Sequence, residues 1–339
     1  MGISEMILTK NEATKANLNL EMKDIARRLN LSDYKEGLQF PKYFQIETVR
    51  HCNAHCPFCP VDEWDKSTPF MSEELFDKIV DEIAPYSDWI NFVTVQRAGE
   101  PLMDKNIAKH ISKLKAAGIK KVLMSTNASL LTDKKAREIL DAGLDEIMLS
   151  IDSVDKEQYE KMRVGLKYET TIKNIKNFFR LRDIINPEML VRVRGVSFFN
   201  LTDSDQRDEL ERWESFWDQL RKPHDRIYMK QAHNWGNQVE WDSNIPEFDS
   251  IYHPCILPWS TMHITAMGIV PLCGQDYDAL MNIGNINTTT IAEVWKNEKW
   301  TEIREKHQSG NRNDISMCRG CRLFDEEFSI EKKQLAQTA

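Results

Sequence analysis

A chain of 339 residues that is 41% hydrophobic is long enough for one large core domain and a small appendage. Its 45 basic and 53 acidic residues leave a formal charge of -8, which argues against a nucleic-acid partner, since binding to a phosphate backbone needs a concentrated basic surface. No run approaches the roughly 18 apolar residues needed to span a bilayer, and the polar N-terminus lacks the apolar core of a signal peptide, so a cytoplasmic protein with no membrane partner is expected.

Residues 1–40 carry Leu18, Met22, Ile25 and Leu29 at helical spacing, which predicts a short amphipathic leader helix packed across the mouth or bottom of the core domain. From about 41 to 235, strand-like runs alternate with longer helical patterns, the habit of parallel α/β folds. The predicted strands are Tyr43–Val49, Trp89–Val95, Lys121–Ser125, Glu146–Ile151, Leu190–Phe198 and Asp225–Lys230. Between them lie helical patterns over Ser72–Ile83, Asp104–Ala117, Thr132–Ala142, Thr170–Arg182 and Ser204–Leu220, with Gly118 and Gly143 placed as C-terminal caps. Six β/α units suit a partial, open barrel, and in parallel barrels the chemistry gathers after the C-terminal ends of the strands.

After the first strand, Cys52, Cys56 and Cys59 stand at CxxxCxxC spacing within His51–Pro60. Three close thiolates imply a metal. A closed structural zinc site wants four ligands, whereas a cubane iron–sulfur cluster on three cysteines keeps one iron open. With Phe58 just before the last cysteine and a strand in front, this loop resembles the signature of the radical S-adenosylmethionine (SAM) enzymes. The resemblance implies a [4Fe–4S] cluster whose free iron is chelated by the amino and carboxylate groups of SAM.

The later strand ends extend the resemblance. Gly99-Glu100-Pro101 after the second strand resembles the family's GGEP motif, with Ala98 in place of the first glycine; in the family this loop lies near the SAM amino group. Ser125 and Asn127 follow the third strand, and Ser150 and Asp152 the fourth, offering groups for the ribose and the methionine carboxylate. Arg163 matches an arginine that in relatives pairs with that carboxylate, a task suited to a planar guanidinium. The segment Val191–Val196 resembles the one that packs on adenine. An ordinary Gly-Pro turn and a solvated helical arginine are the plain alternatives for the GEP loop and Arg163. Tyr228, Lys230, Gln231, His233 and Trp235 end the sixth strand as substrate-pocket candidates; with Asp152, the residues Tyr228, Lys230 and His233 are the catalytic candidates.

Residues 236–250 are polar and turn-rich, as a linker would be. The module from 236 to 325 holds Cys255, Cys273, Cys318 and Cys321, and 326–339 form a tail. Alternation around Met267-Gly268 predicts a β-hairpin with cysteines at its two ends, followed by a helix over Ile291–His307 and a CxxC knuckle at Cys318–Cys321. Four cysteines make a complete tetrahedral set, for which a zinc ribbon competes. The run Gly268–Cys273, a helix bearing Trp295 and the late CxxC resemble the SPASM/twitch group, which implies one auxiliary [4Fe–4S] cluster, coordinatively filled and suited to moving an electron. The odd total of seven cysteines argues against a pure disulfide framework and fits a reducing compartment.

The resemblance implies reductive cleavage of SAM to a 5′-deoxyadenosyl radical that takes a hydrogen atom from an unactivated carbon, with a one-electron reductant such as flavodoxin or ferredoxin as partner. Because both clusters use all seven cysteines, the reading leans to dehydrogenation of a small polar sugar or aminocyclitol; epimerisation would need a tyrosine such as Tyr228 or Tyr252 as hydrogen donor. Asp152, His233 and Asp276 are available to bind its hydroxyl or amino groups. The alternatives are an epimerase or peptide-modifying enzyme, and a zinc-stabilised binding protein.

Overall fold

The computed structural model describes residues 18–197, 207–232, 235, 236, 238 and 253–321. The strands β1 (Tyr43–Ile46), β2 (Phe92–Thr94), β3 (Val122–Thr126), β4 (Glu146–Ser150), β5 (Leu190–Ser197) and β6 (Arg226–Gln231) are parallel and pair in chain order. Each lies within a residue or two of its expected bounds except β1, which ends three residues early, and β2, which begins three residues late. Helices α2 (Glu73–Ile83), α3 (Ile107–Ala116), α4 (Asp133–Asp141), α6 (Tyr168–Ile185) and α7 (Arg207–Asp218) supply the crossovers. Their starts are set by local chemistry: Ser72 and Thr132 each accept a backbone N–H from the first turn of α2 and α4. Gly118 and Gly143 adopt φ of 86° and 87°, the left-handed turn that ends α3 and α4.

Period-two alternation divides the sheet. Phe44, Ile46, Val93, Val122, Ile147, Leu149, Val191 and Val193 are buried. The intervening residues put polar groups on the other face, where Ser125 Oγ lies 3.4 Å from Ser150 Oγ and Arg192 Nε pairs with Glu146 at 2.6 Å. A polar inner face is what a partial barrel built to hold a ligand requires. One helix escapes the hydrophobic pattern: α5 (Lys156–Met162), too short to show a periodicity, is started by Asp155, whose side chain accepts from Gln158 N–H.

The expected hairpin over 261–273 is arranged differently. The strand β7 (Thr261–Ile264) joins the sheet beside β1, giving the order β6-β5-β4-β3-β2-β1-β7, while β8 (Ile269–Pro271) pairs antiparallel with β9 (Asn282–Asn285). Alternation marks a strand but not its neighbour, and the free edge of β1 captures β7: Glu47 N–H donates to Ile264 O at 2.9 Å, and the Glu47 carboxylate accepts from Ala266 N–H at 3.0 Å.

By contacts the chain divides into two units, 43–232 with 263–288, and 1–42 with 233–262 and 289–339. The first is the barrel with β8 and β9. In the second, residues 18–28 form α1, which buries Leu18, Met22 and Ile25. Its other elements include 3-10 turns at Tyr34–Leu38, Arg312–Asp314 and Ser316–Cys318, and the helices α8 (Leu257–Ser260), α9 (Ile291–Trp295) and α10 (Glu298–Gln308). The core of this unit is aromatic: Trp259, Trp295 and Trp300 are fully buried, and Trp295 Nε1 donates to Gly37 O at 2.9 Å. Arg304 lies over the Trp295 ring at 4.6 Å and donates to Pro258 O and Trp295 O, so its buried charge is hydrogen-bonded. Burial brings its pKa down to about 10. Among the described residues no helix is long and apolar enough to cross a membrane.

Candidate functional site

The loop after β1 carries Cys52 and Cys59, half-buried, and Cys56, buried, none in a disulfide. Burial first, and then the charge of the neighbouring cysteines, pushes the Cys59 thiol up to about 12 and, with burial again dominant, Cys52 to about 11; Cys56 is raised as well, with Arg163 opposing. The three sulfurs therefore feel one another, and thiolates here need a cationic centre to be stable. That donor set fits a thiolate-bound iron–sulfur cluster. Among the described residues no three Cys, His, Asp or Glu side chains gather closely enough to hold a single metal ion.

The second strand end braces this loop. Glu100 N–H donates to His51 O at 2.8 Å, and a Cβ on Gly99 would lie 2.4 Å from Val49 O and 2.6 Å from His51 O, so only glycine lets the two backbones meet. The Glu100 carboxylate is buried and pushed up in pKa by that burial, yet it accepts from Thr126 Oγ1 at 2.6 Å, Asn127 N–H at 2.8 Å and Leu102 N–H at 3.1 Å. It ties the GEP loop to the end of β3. From there Asn127 Nδ2 donates to Asn53 Oδ1 at 3.0 Å, back in the cysteine loop. Pro101 starts a 3-10 turn over Pro101–Met103.

Arg163, just after α5, donates from Nε and Nη2 to Asp152 at 2.6 and 3.0 Å, while its Nη1 lies 3.8 Å from Cys56 Sγ and its guanidinium 5.2 Å from the Phe58 ring. Asp152 also accepts from Val196 N–H at 2.9 Å. The geometry thus joins Phe58, Cys56, Arg163 and Asp152 into one group, with both carboxylate oxygens of Asp152 engaged by protein. Ser150 stands in register with Arg194 on β5, and Arg194 with Tyr228 on β6. Tyr228 Oη lies 3.5 Å from Met148 Sδ, and Lys230 follows one inward position later on β6. His233 and Tyr252 lie outside the described residues.

Two groups escaped the sequence reading. Below the cysteine loop, Glu47 is buried between Arg97 (3.4 Å) and Arg50 (3.6 Å); Arg50 also pairs with Asp278 at 2.6 Å, and Arg97 donates to the carbonyls of Asp276 and Tyr277. Asp276, expected to meet substrate, is fully buried and spends its carboxylate on the N–H groups of Leu280 and Met281 at 2.8 and 3.0 Å. The stretch bearing Cys273 is thereby fixed to the barrel. In the other unit, which holds Cys255, Cys318 and Cys321, His307 Nδ1 accepts from Cys255 N–H at 3.0 Å, and Arg312 donates to His253 O at 3.0 Å and Cys321 O at 2.6 Å. Buried arginines read as surface charge in a sequence, so only their hydrogen-bonded context identifies them.

Comparison with known proteins agrees with this architecture. Residues 46–206 match the family model of the radical SAM superfamily, and residues 255–322 that of the SPASM iron–sulfur cluster-binding domain. The S-adenosyl-L-methionine-dependent 2-deoxy-scyllo-inosamine dehydrogenase of Niallia circulans is 21% identical over 279 residues, covering 82% of this chain and 91% of its own. A probable GTP 3′,8-cyclase of Methanococcus maripaludis is 30% identical over 133 residues, which span 39% of this chain and 43% of the cyclase. Among solved structures, BtrN in complex with AdoMet and 2-DOIA shares the fold with a TM-score of 0.57 at 17% identity, over 84% of this chain and 94% of BtrN. Streptococcus suis SuiB bound to S-adenosylmethionine does so with a TM-score of 0.56 at 17% identity, over 84% of this chain and 77% of SuiB.

Proposed function

The chain belongs to the radical SAM superfamily and carries a C-terminal SPASM iron–sulfur domain, and from that premise we propose that it dehydrogenates an alcohol carbon of a small polar sugar or aminocyclitol. Its cofactors are SAM, the SAM-binding [4Fe–4S] cluster and an auxiliary iron–sulfur cluster. When bound, they supply one-electron chemistry at an unactivated C–H bond, with the auxiliary cluster as electron acceptor.

The residues divide this work. Cys52, Cys56 and Cys59 would hold the first cluster, and Cys255, Cys273, Cys318 and Cys321 the auxiliary one. Gly99, Glu100 and Pro101 shape the wall beside the first cluster; Ser125, Asn127, Ser150 and Arg163 offer the polar groups for SAM, and Phe58 packs under Arg163. Tyr228 and Lys230 on β6 and, from its place in the sequence, His233 are the groups proposed to meet the substrate, while Asp152 acts by fixing Arg163. The observation that carries dehydrogenation over epimerisation is the cysteine count: with seven thiols assigned, none remains to return a hydrogen atom. The likeness to the Niallia circulans dehydrogenase along most of both chains supports the same reading. Free thiols and two clusters call for a reducing compartment, the cytoplasm, and for a flavodoxin or ferredoxin as reductant.

The test is anaerobic reconstitution of wild type and a Cys52/Cys56/Cys59→Ala variant, with iron counts, 5′-deoxyadenosine formation and product analysis on a panel of aminocyclitols and sugars. The expected result is about eight irons in wild type and about four in the variant, with one carbonyl product formed per 5′-deoxyadenosine and only by wild type. An epimer carrying solvent deuterium would overturn dehydrogenation. A colourless, zinc-loaded protein would overturn the radical chemistry altogether.

A further inference from the structure

Arg194 is a guanidinium to which no described residue supplies an anion. It stands on β5 between Ser150 of β4 and Tyr228 of β6 in register, on the strand positions that alternate with the buried Val191 and Val193. Its Nε is buried with no hydrogen-bond partner, and among the described residues no carboxylate forms an ion pair with it. The acids nearby are taken: Asp152 by Arg163 and Val196 N–H, and Glu146 by Arg192 and Lys121. The contrast with Arg182 is direct, since that fully buried arginine on α6 has both oxygens of Asp225, at 2.8 and 2.7 Å. The Arg194 side chain is half-buried, with its Nε closed off from solvent. Burial, and then the charge of Arg163, holds it below the usual arginine range, with Tyr228 and Asp152 opposing. A buried guanidinium N–H without an acceptor is unfavourable unless a ligand supplies one.

We propose that Arg194 is the anion-recognition residue of the barrel interior, taking a carboxylate or phosphate group of a ligand bound beside Tyr228 and Ser150. Guanidinium geometry suits a two-oxygen anion. Two molecules can bring that group. One is the substrate, which would then be an acidic sugar in place of an amine-bearing one; this arm rests on the dehydrogenase reading. The other is the methionyl end of SAM, because Arg163 has two of its three guanidinium nitrogens on Asp152 and only Nη1 left to offer.

The experiment measures equilibrium binding to anaerobically reconstituted wild type, Arg194→Gln and Arg194→Lys. The probes are S-adenosylhomocysteine, 5′-deoxyadenosine and, with S-adenosylhomocysteine saturating, D-glucuronate against D-glucose. In Arg194→Gln, affinity is expected to fall about tenfold or more, the worth of a charge-assisted hydrogen bond, for an anionic probe alone. Arg194→Lys should fall between. A loss confined to S-adenosylhomocysteine assigns the anion to SAM, and a loss confined to D-glucuronate assigns it to substrate. Unchanged 5′-deoxyadenosine binding and iron content show that the variants are folded. Equal losses for charged and uncharged probes, or no loss for either anion, would overturn the proposal. Uncoupled cleavage of SAM without sugar is measured alongside, so that failure of the radical reading is seen separately from failure at Arg194.

Discussion

Arg163 and Asp152 form a buried two-point ion pair, Nε to Oδ2 at 2.6 Å and Nη2 to Oδ1 at 3.0 Å, whose remaining guanidinium nitrogen is turned to the sulfur of Cys56. Removing one partner leaves the other charge enclosed and unpaired. Asp152→Ala is therefore expected to destabilise the protein by about 3–5 kcal/mol, read as a lower urea midpoint, while the double variant Asp152→Ala/Arg163→Met should recover part of that loss. A double variant no more stable than Asp152→Ala would show that the pair is not the source of the cost.

Gly99 permits no side chain, because the atoms that a Cβ would strike at 2.4 and 2.6 Å are backbone carbonyls of Val49 and His51. Gly99→Ala must displace the cysteine loop. Reconstituted Gly99→Ala should lose iron from the first cluster, falling from about eight towards about four irons, with a stability loss of about 1–3 kcal/mol from overpacking. Full iron content with normal 5′-deoxyadenosine formation would contradict this account of the glycine.

Arg312 holds the chain on either side of the second cysteine set through the carbonyls of His253 and Cys321. Arg312→Ala should remove the auxiliary cluster selectively. The expected reading is about four irons in place of about eight, with uncoupled SAM cleavage retained and substrate oxidation lost. Loss of both clusters together would instead mark Arg312 as a general stability residue.

On the outside of the barrel, hydrogen bonds from Lys109, Lys113 and His110 hold the Glu73 carboxyl down at about 2. A depressed acid stabilises the fold above its unfolded pKa of about 4.3 and loses that contribution as pH falls through its folded value. Because 31% of its side chain is exposed, the contribution is limited by solvent screening to about 1 kcal/mol. Wild type should therefore lose more urea resistance than Glu73→Gln between pH 6 and pH 3, a difference that vanishes if the cluster is not formed in solution.

Much of the barrel was legible because hydrophobic alternation and capping residues are local signals. Ser72, Thr132, Gly118 and Gly143 mark their helix ends by chemistry that involves only a few neighbours. The cysteine loop was legible for the same reason. What escaped were the interactions between distant segments: the destination of β7, the Arg50–Asp278 and Arg97–Asp276 contacts, and the use of the Asp152, Asp276 and Glu100 carboxylates within the protein. An acidic residue after a strand looks the same in sequence whether it faces a ligand or a backbone amide. Arg194 shows the converse, since only the structure reveals that no carboxylate among the described residues pairs with this arginine of an alternating strand.

The capture of β7 beside β1 also governs when the barrel can be finished during synthesis. Glu47 waits for Ala266, 219 residues further along, and Arg50 for Asp278, 228 residues along. Until that downstream segment leaves the ribosome, β1 has a bare edge and two buried-to-be charges lack their neighbours. Closing so long a loop late makes this step slow relative to the local β/α pairings. A nascent chain therefore presents its cysteine loop on an unfinished strand, and iron delivered before residue 266 emerges would meet a site that is not yet braced.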